Sequence, residues 1–129
     1  MRARLPHVLA LAAVICVGLV WRRADLGLPF LAWKYGGSAL WGAMVFVITG
    51  VVAPRAALSR RAMAATAVAI CVELSRLYHT PGLDAFRLTL AGQLLLGRVF
   101  SLWNILAYVM GIAAAAFVNA RFRLPSPAR

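Results

Sequence analysis

Long apolar runs alternate with short stretches that hold most of the polar residues, and this pattern organises the 129-residue chain. The first run covers about residues 5–21, the second 36–53, the third 62–78 and the fourth 102–120. Each is about 17–20 residues long, close to the length that crosses a hydrocarbon core of ~30 Å as a helix. An irregular segment could not cross there, because its backbone polar groups would go unsatisfied. The pattern therefore predicts an all-α fold: a polytopic membrane helical bundle of four transmembrane helices in one domain, 1–129. Pro54 closes the second run, Thr80-Pro81-Gly82 the third, and Arg121 with Arg123 the fourth.

A fifth apolar stretch, "LDAFRLTLAGQLLLG" (83–97), would reach only about 22 Å as a helix. It predicts a short re-entrant or interfacial helix, with a full crossing as the alternative. The opening "MRARLPHVLALAAVICVGLVWRR" has the basic start of a signal peptide. Its apolar run is longer than such a segment carries, and no small-residue cleavage site precedes Trp21, so it reads as a retained membrane helix.

Composition sharpens this picture. Hydrophobic residues make up 64% and charged residues 13%, with mean hydropathy +0.85, against about 45–50% and about 25% in soluble domains. The net charge of +11 raises the question of nucleic acid. The arginines punctuate apolar runs and build no polar basic face, so nucleic acid is not expected as a partner. Cys16 and Cys71 lie in apolar runs and read as small core residues. No CxxC, phosphate-loop or GxSxG motif occurs, and neither metal nor cofactor is expected. With four spans, both termini share a side holding eight arginines (2, 4, 55, 60, 61, 121, 123 and 129), against Arg22, Arg23, Lys34 and Arg98 opposite. The positive-inside rule then makes the termini cytoplasmic.

Two of the chain's three acidic residues fall in "CVELSRLYHTPGLDAFRLT" (71–89). The predicted topology brings Glu73, Arg76, Tyr78 and Arg87 to the outer end, level with Tyr35 and Ser38 of the second span and Asn104 and Tyr108 of the fourth. An ionisable group at a helix centre costs about 2.5–3.5 kcal/mol, so such groups pair or face a cavity. Glu73 is expected to pair with Arg87, pinning the short helix, with Arg76 at i+3 as the local alternative. Asn104, Tyr108, Gly111 and Ala115 share one face, a small-residue seam below a polar top. Trp33, Tyr35, Trp41, Tyr78, Trp103 and Tyr108 read as an outer aromatic belt.

"KYGGSALW" (34–41), "ELSRLYHTPGLDAFRLTLAGQLLLGRVF" (73–100) and "WNILAYVMGI" (103–112) resemble the small bacterial membrane family known as domain of unknown function 2809. The resemblance implies a multi-pass protein of the bacterial inner membrane with no established activity. It carries over onto Glu73, Tyr78, Arg87, Gly92, Gly97 and Tyr108. The order of Glu, Arg, Asn and Gly is more distantly similar to VanZ-like proteins, linked to teicoplanin resistance. Ser38 and Asn104 stand where the family usually has aspartates, and Arg76 where it has glutamine, which leaves Glu73 as the single carboxylate of the cluster.

Three functions follow, in order of preference. The first is binding of an anionic lipid or lipid-linked envelope molecule in an outer-leaflet pocket built by Glu73, Arg87, Arg76, Asn104, Tyr108, Tyr78, Tyr35 and Ser38, with Arg87 as principal ligand. The second is a structural or assembly subunit that forms homo- or hetero-oligomers through small-residue faces. The third, an intramembrane enzyme, stands well below, since Ser38, Glu73 and His79 match no nucleophile–base spacing.

Overall fold

The computed structural model describes residues 4–23, 27–95 and 101–122. They form α1 (Leu5–Arg23), α2 (Phe30–Val52), α3 (Leu58–Ser75), α4 (Pro81–Arg87), α5 (Leu90–Leu95) and α6 (Leu102–Phe122). No strand occurs among the described residues. Three helices, α1, α2 and α6, are long and apolar enough to cross a membrane. α3 has 18 residues but carries Arg60, Arg61 and Glu73, so composition alone does not put it in that group.

Side-chain contacts fix how the long helices run. His7 and Trp21 of α1 rest on Gly50 and Gly36 of α2, so these two are antiparallel. Arg61, early in α3, reaches Thr49 and Asn119, late in α2 and α6. Glu73, late in α3, reaches Asn104 and Tyr108, early in α6. α3 is therefore antiparallel to both, and α2 and α6 run parallel. One end of the bundle holds the start of α1 and the end of α6; the other holds the α4–α5 hairpin.

α2 and α6 touch backbone to backbone. A Cβ on Gly42 would lie 2.5 Å from the Tyr108 carbonyl oxygen, and one on Gly111 would lie 2.6 Å from the Ala39 carbonyl carbon. The Gly111 seam, expected as an oligomer surface, is thus filled by α2 of the same chain. Val45, Phe46, Ala65, Ala69, Tyr108 and Ile112 form the core around this crossing. α1 buries only His7 and exposes Val8, Leu9, Val17 and Val20, an apolar surface of the kind that meets lipid. Cys16 and Cys71 are free and exposed, outside the core where they were expected.

Several boundaries differ from the sequence reading. α2 begins at Phe30, not 36, because Pro29 (φ −55°) presets the entry into the helix. Gly36 and Gly37 are not a break; their bare faces seat Trp21 and Arg22. α3 starts at Leu58 and stops at Ser75, so Arg60 and Arg61 are helical. The expected 83–97 helix is two helices. Thr89 Oγ1 donates to the Phe86 carbonyl (2.6 Å) and accepts from Gly92 N–H (3.0 Å), starting a new helix. Gly92 then folds back onto the Phe86 carbonyl, where a Cβ would stand 2.7 Å from Arg87 Cα. Residues 96, 97 and Arg98 lie outside the described residues.

Candidate functional site

Glu73 is the centre of the hairpin end, with 0% of its surface exposed. Its Oε1 accepts from Ser101 N–H at 2.7 Å and Asn104 Nδ2 at 3.1 Å. Its Oε2 accepts from the Tyr108 hydroxyl at 2.9 Å and pairs with Arg76 Nη1 at 3.0 Å. The carboxylate thus ties the end of α3 to the start of α6, where backbone N–H groups lack helical acceptors and a negative charge is favoured. Both oxygens are held by donors, which makes Glu73 an anchor between the two helices.

Arg87 has a different task from the one expected. It is 1% exposed, yet it does not pair with Glu73. Its Nη2 donates to the Ser75 carbonyl at 2.6 Å, and its Nη1 to the Tyr78 carbonyl at 2.8 Å and to Asp84 Oδ1 at 3.1 Å. These are carbonyls at and just past the end of α3, where the helical ladder runs out; the Ser75 carbonyl also accepts from Tyr78 N–H at 3.0 Å. Arg87 therefore caps α3 and locks α4 against it. Asp84, outside the spans, is held below the usual carboxylate range, first by its hydrogen bond to His79 and then by Arg87. Thr80 starts α4 by accepting from Leu83 N–H at 3.1 Å, with Pro81 at the first position.

Of the other predicted site residues, Asn104, Tyr108 and Arg76 join Glu73. Ser38 is buried but donates to the Lys34 carbonyl of its own helix at 3.2 Å, a common turn-back for a helical serine. Tyr35 lies under the Lys34 ammonium, 5.3 Å from the ring centroid. The Tyr78 ring is exposed and only its carbonyl takes part. Trp41 and Tyr108 leave the expected aromatic belt and pack on each other inside, with centroids 4.8 Å apart.

An apolar cavity of about 290 Å³ opens beside this cluster, between α1, α2 and α5. Val14, Gly18, Leu40 and Met44 line it, with Arg22 and Trp41 as its polar members. The Arg22 guanidinium lies over Trp33, 5.4 Å from the ring centroid, with its Nε 3.2 Å from the place of a Gly37 Cβ. Arg22 is exposed and has no acidic partner among the described residues. The buried Trp41 Nε1 has no acceptor among the described residues. Sequence reasoning counted Arg22 only as a boundary charge. The signal for its inward reach was Gly36-Gly37 opposite the end of α1, a flat place on which large side chains lie.

A family model described as "Protein of unknown function (DUF2809)" matches residues 28–112, about two thirds of the chain. That region contains Glu73, Arg76, Asn104 and Tyr108 and excludes all of α1. No solved structure matches the chain.

Proposed function

Because the chain belongs to the DUF2809 family, whose description assigns no activity, its role has to be read from the site, and we propose that it binds the head group of an anionic lipid or lipid-linked envelope molecule in the α1–α2–α5 groove. The observation that carries this reading is Arg22. It stands without an acid among the described residues at the edge of an apolar cavity of about 290 Å³. Glu73 is already engaged by Arg76, Tyr108, Asn104 and Ser101, so no carboxylate among the described residues is left for Arg22, and an anionic head group would supply one. A guanidinium fork bonds phosphate or carboxylate at two points. Trp41 Nε1 offers a further donor, and Val14, Leu40 and Met44 suit an acyl or isoprenoid chain. The assembly reading is less supported, since the Gly111 seam is occupied within the chain.

The placement proposed for this site is the outer leaflet of a bacterial inner membrane, with α3 as a fourth crossing. α3 runs beside α2 and α6 from Arg61 to Glu73, about 18 Å along its axis, which supports that reading. Arg61 proves to be buried, yet seven arginines of the sequence remain on the terminal side against four cations opposite. Cytoplasmic termini are therefore expected. Ser59 and Gly82 are exposed at opposite ends of the bundle. Single cysteines there, in a background lacking Cys16 and Cys71, should react with an impermeant thiol reagent on intact cells only at position 82. Labelling at 59 alone would invert the orientation and move the groove to the inner leaflet.

Mass spectrometry of lipid retained by the purified protein tests the binding. Wild type should keep anionic lipid in preference to zwitterionic lipid. Arg22→Gln removes the cation, and Gly18→Leu fills the groove from a position where a Cβ meets nothing within 4 Å. Each should reduce anionic lipid by about tenfold, Arg22→Gln because a hydrogen bond to a charged group is worth about 1.5–3 kcal/mol and Gly18→Leu because the chain loses its place in the groove. A well-folded wild type with no anionic enrichment, or variants that retain it, would refute the reading.

A further inference from the structure

We infer that the opposite, terminal end of the bundle holds a second anion site, centred on Arg61, for the oxyanion head of an amphiphile whose alkyl chain lies between α1, α2 and α6. Arg61 is 3% exposed. Its partners are neutral and distant: Thr49 Oγ1 at 3.3 Å and Asn119 Oδ1 at 3.4 Å. Its guanidinium stacks over Phe46, 4.6 Å from the ring centroid. Nη2 is buried with no acceptor among the described residues. Glu73 and Asp84 are engaged at the other end, and no carboxylate among the described residues pairs with Arg61. A buried cation in this state is strongly disfavoured unless an anion reaches it.

The space for that anion is present. A cavity of about 330 Å³ is lined by His7, Arg61 and Asn119 at its polar end, and by residues such as Ala43, Ala114 and Val118 along its walls. That volume is in the range of small-molecule pockets, about 300–1,000 Å³. Ala114 and Val118 are exposed, so the cavity opens on the lipid-facing side and a chain can enter from the bilayer. The polar end is built. A Cβ on Gly50 would collide with the His7 ring and lie 2.6 Å from Arg61 Nη2, so the bare Gly50 lets both side chains sit there. A guanidinium that only stapled three helices would need neither the cavity nor an unused Nη2.

This site is separate from the Arg22 groove and can fail or stand alone. The test is thermal unfolding of the full-length protein in neutral detergent, titrated with dodecyl phosphate, dodecanoate, dodecanol and dodecyltrimethylammonium. An anionic amphiphile that binds the native state raises the melting temperature, and its apparent affinity should exceed that of dodecanol by about tenfold or more. The phosphate and carboxylate arms tell a phospholipid-like head from a fatty acid. Arg22→Gln, which silences the first groove, should leave a head-group-selective shift. Arg61→Gln and Ala114→Phe should each remove that remaining shift. Ala114→Phe blocks the cavity from an exposed position without touching Arg61, so it decides the matter if Arg61→Gln fails to fold. Equal shifts for anionic and neutral amphiphiles, or selectivity that survives Ala114→Phe, would overturn the site. So would selectivity abolished by Arg22→Gln alone, which would assign all binding to the first groove.

Discussion

Glu73→Ala is expected to destabilise the folded protein by about 3–5 kcal/mol, the usual cost of stranding one partner of a buried ion pair. The loss has several parts. Arg76 loses its contact with the Glu73 carboxylate at 3.0 Å. The Tyr108 hydroxyl, Asn104 amide and Ser101 N–H lose acceptors at 2.9, 3.1 and 2.7 Å. A hydrogen bond to a charged group is worth about 1.5–3 kcal/mol, so Tyr108→Phe alone should cost a substantial fraction of the total. Adding Arg76→Met to Glu73→Ala should recover part of the loss, because the cation that faced the carboxylate is gone with it. The same cycle with Arg87→Met should show little coupling, since Arg87 binds the Ser75 and Tyr78 carbonyls and Asp84. Denaturation of the purified variants reads both cycles. Additive losses in the Arg76 cycle, with coupling in the Arg87 cycle, would mean that the ion pairs are exchanged.

Gly111→Ala should also destabilise, although helix propensity argues for the opposite sign. Replacing a mid-helix glycine by alanine ordinarily gains about 0.8–1 kcal/mol. Here the new methyl meets the Ala39 backbone, 2.9 Å from its Cα. Backbone cannot turn aside as a side chain can, so the helices must separate. Overpacking of this kind costs about 1–3 kcal/mol. Separation would also pull Tyr108 from Glu73, so Gly111→Leu should approach the loss seen for Glu73→Ala. Gly42→Ala meets Tyr108 Cα at 2.9 Å and should behave alike. Stabilisation by either alanine would show that α2 and α6 do not touch as described.

The helices were legible because each apolar run satisfies its own backbone and little else can. The meeting of Glu73 with Asn104 and Tyr108 was legible too, from depth along parallel and antiparallel spans. Arg87 was not, because backbone carbonyls leave no trace in a sequence, and a scarce acid looked like the natural partner for a cation. Arg61 was hidden by the rule that a span begins where charge ends. Its signal was spacing. Arg61, Ala65, Ala69 and Glu73 recur every four residues and form the buried face of α3, so the alanine stripe carries a cation at one end and an anion at the other. Asn119 and His7 followed from no pattern, since a lone polar residue in an apolar helix does not reveal which neighbour it meets.

The most direct test of the account is a solid-state NMR distance measurement between lipid phosphorus and arginine guanidinium carbons in phosphatidylglycerol bilayers. The prediction is a close phosphorus contact at Arg22, at the separation of a charge-assisted hydrogen bond, that Gly18→Leu abolishes while contacts at surface arginines persist. Phosphorus near surface arginines only, unchanged by Gly18→Leu, would contradict it.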